Sequence, residues 1–188
     1  MDGILHSPEY RRRFSNNLAK ELPRIPLAKD FKAFRDAGRE LARLHLDYES
    51  VDPYIVKEIG DSTNPGPTVK MRYPKTVKDP MTGKKVKDLT VLQVAQNLTF
   101  EEIPLRAYEY MVNGKSALAW LIDRYQITTD KKSGIVNDPN TWSDDPRYIV
   151  DLVRRVITVS LRTLDIMESL PALEEMDPPE NYPQEWRS

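Results

Sequence analysis

Between Pro53 and Pro104 the chain cannot sustain a long helix, because Pro65, Gly66, Pro67, Pro74, Pro80 and Gly83 interrupt it every few residues. Proline removes a backbone donor and clashes with the preceding helical turn, so each one ends or prevents a helix. The short segments between them are rich in β-branched residues, which favour strands. Thr68–Pro74, "TVKMRYP", predicts a strand in which Val69, Met71 and Tyr73 alternate with Lys70 and Arg72. "DPMTGKK" predicts a turn whose Gly83 takes positive φ. "DLTVLQVAQNLTFEEIP" predicts one or two further strands. The expectation is a small antiparallel sheet over about residues 54–103, close to the size of a meander.

Helical spacing flanks this region on both sides. Ser7-Pro8-Glu9 supplies an N-cap, a first-position proline and a first-turn acid. Tyr10, Phe14 and Leu18 follow on one face, and Pro23 stops the helix before the extended "PRIPL". A second helix starts near Asp30 and carries Phe31, Phe34, Leu41, Leu44 and Tyr48 at helical spacing. After Pro104 a short helix covers Leu105 to Met111, with Gly114 as its left-handed C-terminal cap. Ser116 then caps a helix to Tyr125, whose Leu118, Leu121, Ile122 and Tyr125 form an apolar stripe. Asn113, Asp123, Arg124 and Tyr125 are expected to make structural hydrogen bonds between helices. The polar loop "TTDKKSGIVNDPNTWSDD" leads to a long helix from about Pro146 to Leu170 that is apolar around much of its circumference. The fold class is therefore α+β: helices, a small antiparallel sheet and a long C-terminal helix. Residues 1–170 form one domain, followed by an acidic, proline-rich tail over 171–188.

Composition removes several chemistries. The 188 residues contain no cysteine and only two histidines, His6 and His45. Disulfides, thiolate metal sites and cysteine nucleophiles are excluded, and a zinc site of ordinary ligand type is disfavoured. No apolar run approaches the ~20 residues of a membrane span, and the N-terminus lacks the pattern of a signal peptide.

Gly114-Lys115-Ser116 matches the last three letters of a phosphate-binding loop. Such a loop needs an earlier glycine five positions upstream, where this chain has Glu109, and a strand before it. Nucleotide binding there is rejected. Asp177-Pro178-Pro179 resembles the adenine-gripping loop of amino-methyltransferases, but Glu180 stands where an aromatic ring would stack. Asp30-Phe31-Lys32 and Asp130-Lys131-Lys132 match only the acid-x-Lys triplet of metal-dependent nucleases. No catalytic centre, cofactor site or metal site emerges from these patterns.

Charge is more informative. The formal net charge is −1, yet Thr68–Lys87 holds seven basic residues and one acid. Pro171–Ser188 reverses this, with five acids and one base. A concentrated basic segment can hold a polyanion locally even in a near-neutral chain. Lys70, Arg72, Tyr73, Lys75, Lys84, Lys85 and Lys87, with Gln93 and Asn97, combine phosphate-neutralising groups with side chains that read base edges. A two-stranded ribbon fits the major groove. Arg11, Arg12 and Arg13 form a second candidate DNA surface. A solvated, lysine-rich hairpin with no ligand satisfies the same composition.

Five blocks in order carry a family resemblance: "SPEYRRRFSNNLAKELPRIPL", "LARLHLDYE", "VKMRYPK", "AYEYMVNGKSALAWLIDRYQ" and "SGIVNDPN". Together they resemble the C-terminal specificity domain of type ISP restriction–modification enzymes, over roughly Ile4 to Leu170. The resemblance implies a non-catalytic module that recognises double-stranded DNA in a sequence-specific manner. Its implied partners are the DNA, an adenine-N6 methyltransferase and a helicase-like ATPase of the same polypeptide. The implied setting is bacterial, cytoplasmic and directed at phage defence, with the chain an excised fragment or a truncated gene product. No residue role transfers from the family to this chain. Two other readings stand beside it: a module docking the methyltransferase or motor, and a metal-dependent nuclease using Asp30 or Asp130.

Overall fold

Helices begin where short polar side chains can satisfy the first free backbone amides. The computed structural model describes residues 2–18 and 25–177. The expected helix stop at Pro23 and the proline-rich tail from Pro178 lie outside these residues. The chain divides into two units, one from the residues up to Asp47 with those from Thr163, the other from Tyr48–Arg162.

The first unit holds α1 (Asp2–His6), α2 (Pro8–Arg13), α3 (Ser15–Leu18) and α4 (Phe31–Leu46). Ser7 Oγ accepts from the Tyr10 amide at 3.4 Å and caps α2. The single helix expected from Ser7 is interrupted at Phe14, so α2 and α3 are separate short pieces. Asp30 caps α4, its carboxylate accepting from the Ala33 amide at 3.0 Å. The core of this unit is Ile4, Tyr10, Ala28, Phe34 and Leu173. Phe31 lies outside it and is 64% exposed. Gly3 permits the close approach of α1 to α4, since a Cβ there would lie 2.1 Å from the Phe34 carbonyl oxygen. Residues after the last helix return to pair with 27–29: the Lys29 amide donates to Glu174 and the Met176 amide to Leu27.

The second unit is built on a three-stranded antiparallel sheet ordered β1 (Lys57–Gly60), β5 (Leu98–Glu101), β4 (Leu92–Ala95). A separate hairpin pairs β2 (Thr76–Lys78) with β3 (Lys85–Lys87). Two further small hairpins are β6 (Met111–Val112) with β7 (Lys115–Ser116), and β8 (Thr128–Thr129) with β9 (Val136–Asn137). One face of the main sheet buries Leu92, Val94, Leu98 and Phe100. They pack with Leu118 and Ile122 of α5 (Ala117–Arg124) and Leu152 and Val153 of α6 (Tyr148–Ser169). The length and near-continuous burial of α6 fit the central helix expected from its apolar pattern. Its residues to Arg162 belong to this unit and those from Thr163 to the other.

Thr68–Pro74 differs from expectation. It is extended, but only Arg72 pairs, forming an isolated bridge with Gln93 of β4. Continuing that ladder would require an amide donor at position 74, which proline lacks. Val69, expected inward, is 53% exposed, whereas Met71 is buried.

The Leu105–Met111 helix is also corrected: a single 3-10 turn covers Leu105–Tyr108, and β6 begins at Met111. Asn113 and Gly114 have φ of 50° and 79°, the signature of a two-residue hairpin turn of mirror type rather than a helix cap. Such turns match the twist of the strands they join, and Asn-Gly is their preferred sequence. Ser116 does cap α5, accepting from the Ala119 amide at 3.1 Å.

Candidate nucleic-acid interface

The β2–β3 hairpin places its lysines by register. Lys78 faces Lys85, and Lys87 faces Thr76, so three ammonium groups share one face over two rungs. Val77 and Val86 face each other on the opposite side. Lys84 adjoins the rung at the turn. Like charges so close repel one another. Among the described residues, Lys70, Arg72, Lys78, Lys84, Lys85 and Lys87 make no ion pair with an acid. Lys87 instead sits over the Tyr73 ring, 5.6 Å from its centroid. Lys75 is the exception, its ammonium 2.7 Å from Glu101, which also holds Lys57 at 3.1 Å.

The one acid of this segment, Asp79, serves its turn. The carboxylate of Asp79 accepts from the amides of Met81 and Thr82 at 2.8 and 3.0 Å. The Gly83 amide closes onto the Asp79 carbonyl with Gly83 at φ 66°, as its place in the turn predicts. These amides, Thr82 first, hold the Asp79 carboxyl below its ordinary range. A carboxyl depressed in the folded state stabilises above its unfolded value and loses that contribution as pH falls through the folded one. The amide resonances of Met81 and Thr82 should therefore hold position through the ordinary aspartate range and move only below it. Movement within the ordinary range would show that this cap is not formed in solution.

The second element is the rung between Arg72 and Gln93. The Arg72 amide donates to Gln93 O at 3.1 Å, and the Gln93 amide donates to Arg72 O at 2.8 Å. Gln93 pairs onward with Thr99, and Thr99 with Ile59. Partners in register share a face, so Arg72, Gln93, Thr99 and Ile59 form one row across the outer side of the sheet. Beside this row lies a notch of about 180 Å³, lined by Pro67, Val69, Lys70, Arg72, Ala95 and Gln96 along with Gln93. Asn97 sits in the β4–β5 turn; its backbone amide bonds Pro65 O at 2.9 Å and its side chain reaches Asn64 O at 3.5 Å.

The arginine triplet lies in the other unit and is partly committed to internal contacts. Arg13 pairs with Glu9 at 2.5 Å and with Glu175 at 3.4 Å, and Arg11 Nε donates to Leu5 O at 2.8 Å. Arg12 is exposed. Of the residues expected to be structural, Asp123 pairs with Lys115 across β7 and α5, and Arg124 lies over the Trp142 ring. Asp30 caps α4, and Asp130 binds the amides of Lys132 and Ser133 in a turn. Among the described residues no group of three His, Cys, Asp or Glu side chains could hold a metal ion. Nor is any helix among them long and apolar enough to cross a membrane. Lys78 was outside the candidate set. Counting outward from the Asp79–Lys84 turn would have placed it opposite Lys85.

These features define an α+β domain that presents an unneutralised cationic hairpin beside a polar sheet face. Residues 2–152 match the sequence profile of the Type ISP C-terminal specificity domain, and the chain belongs to that family. Three solved structures are similar. A nuclease-deletion mutant of the Type ISP restriction-modification enzyme LlaGI, in complex with a DNA substrate mimic, is 42% identical with a TM-score of 0.82. The match covers 94% of this chain and 16% of that one. The ATP-dependent Type ISP enzyme LlaBIII, bound to DNA, is 40% identical with a TM-score of 0.83, covering 93% and 11% respectively. The DrdV–DNA complex is 31% identical with a TM-score of 0.72, covering 92% and 17%. This chain thus spans less than a fifth of each matched polypeptide. Among curated proteins none matches it.

Proposed function

We propose that this chain is the DNA target-recognition module of a larger restriction–modification enzyme, itself without catalytic activity, cofactor or metal. Residues 1–170 carry recognition, followed by the acidic segment 171–188, whose start is anchored in the first unit through Leu173 and the pairing of Glu174 and Met176 with residues 27–29. The module acts in the cytoplasm beside an adenine methyltransferase and a helicase-like ATPase of the same polypeptide. The observation that carries this reading is the hairpin face of Lys78, Lys85 and Lys87, with Lys84 at its turn and, among the described residues, no acid paired to any of them. The similarity to three DNA-bound enzymes supports it independently. Lysines aligned on a ribbon neutralise phosphates, while the sheet face beside them offers side chains that read base edges.

Phosphate neutralisation releases counterions, so affinity falls linearly on a log–log plot against salt, by about 0.9 per phosphate contact. Titration of the intact chain with duplex DNA at several salt concentrations is expected to give a steep negative slope. A specific duplex should survive competition by unrelated DNA. A flat salt response, or no binding with the methyltransferase domain supplied, would instead favour a docking module.

A further inference from the structure

We infer that the Arg72–Gln93 rung and its notch form a base-reading subsite for guanine, a conclusion that rests on the DNA-recognition reading above. Arg72 is the one arginine among the cations of residues 68–87, and three observations place it at a binding site. Its backbone is fixed by two reciprocal hydrogen bonds to β4, so its side chain projects from a braced strand rather than from a turn. Its guanidinium has no acidic partner among the described residues. It also lines a notch in which Pro67, Val69 and Ala95 are apolar and Lys70, Gln93 and Gln96 are polar.

The notch is held from both sides. The Gln96 amide donates to Pro67 O at 3.1 Å, and Thr68 Oγ1 donates to Val94 O at 3.0 Å. Asn140 clamps the Thr68 backbone, accepting from its amide at 2.8 Å and donating to its carbonyl at 3.2 Å. Preformed walls reduce the ordering cost of binding. The volume, about 180 Å³, is below the ~300 Å³ at which small-molecule pockets begin, and suits the edge of a base pair. A planar guanidinium donates two parallel hydrogen bonds, which match the N7 and O6 acceptors that guanine alone presents in the major groove. The lysines of the hairpin are point charges and suit phosphate, leaving Arg72 as the reader.

The test is selection of bound duplexes from a randomised pool by the intact chain and by Arg72→Ala. Arg72 is exposed and pairs through its backbone, so alanine leaves the bridge in place. The intact chain should select a sequence containing at least one invariant guanine. Arg72→Ala should lose preference at one guanine position by about 5- to 150-fold, leaving other positions unchanged. Placing 7-deazaguanine at that position should weaken the intact chain and leave Arg72→Ala indifferent. Unchanged selection by the variant overturns the subsite but leaves DNA recognition standing. So does a uniform loss across all sequences with the salt slope lowered by about one, the mark of a phosphate contact. Failure of the intact chain to bind any duplex overturns both readings together.

Discussion

Replacing Lys78, Lys84, Lys85 and Lys87 together by glutamine is expected to lower duplex-DNA affinity about 100- to 1,000-fold near physiological salt. The same variant should reduce the salt slope by about three to four, one increment for each phosphate contact removed. The reasoning is geometric. The register brings Lys78 and Lys85 face to face with Lys87 two rungs away on the same face, and among the described residues no acid pairs with them. A fold does not gain from assembling like charges, so this face destabilises the free chain unless a polyanion covers it. Glutamine, one bond shorter, keeps a polar tip and removes the charge. The variant should therefore be at least as stable as the parent in urea while binding DNA far less. Sequence preference at positions read by Arg72 should persist in whatever binding remains. A variant with an undiminished salt slope would place the phosphate contacts elsewhere, with the Arg11–Arg13 face next to be tested.

Arg147→Ala is expected to cost about 2–3 kcal/mol of unfolding free energy, short of the full penalty for a wholly buried pair. Arg147, just before α6, reaches Glu58 of β1 at 2.8 Å and Asp151 of α6 at 3.1 Å, and its guanidinium also bonds Ser62 O. The three charged side chains are only 18–23% exposed, so the pairing is not screened as a surface pair would be. Removing the arginine leaves two half-buried carboxylates with Arg154 as their remaining partner, at 3.5 Å from Glu58 and 3.0 Å from Asp151. That second arginine is why the loss stops short of the full value. Hydrogen exchange should show β1 losing protection first, since the network ties this edge strand to α6. A change below about 0.5 kcal/mol in the urea midpoint analysis would mean that the network behaves as an ordinary surface pair.

Local chemistry was legible in the sequence wherever one side chain decides a backbone choice. Ser7 and Ser116 are caps because each stands one residue before a helix, and Gly83 takes positive φ because the turn demands it. The misreading at Asn113-Gly114 has a physical source. A left-handed glycine ends helices and forms hairpins equally well, and the flanks decide between them. "LRAYEYM" has helical spacing, but its end is drawn into a strand by pairing Met111 with Ser116. Non-local choices were not legible. Nothing near Arg72 indicates that its partner is Gln93, or that Lys75 is neutralised by Glu101 while Lys87 is not. Charge composition therefore located the candidate surface, while register and ion pairing sorted its members. The division of α6 between two units was equally hidden, because an all-round apolar pattern does not say which core each turn serves.

That division carries a consequence for how the chain matures on the ribosome. Every described residue of the second unit lies between Tyr48 and Arg162, so its core can close once Arg162 has emerged. The first unit must wait for Leu173, which is 1% exposed in a buried cluster with Ile4, Tyr10, Ala28 and Phe34. Its opening helices are made first and finished last. Throughout that interval Ile4, Tyr10 and Phe34 lack the side chain that completes their packing, so their apolar surface stays open until synthesis passes Leu173.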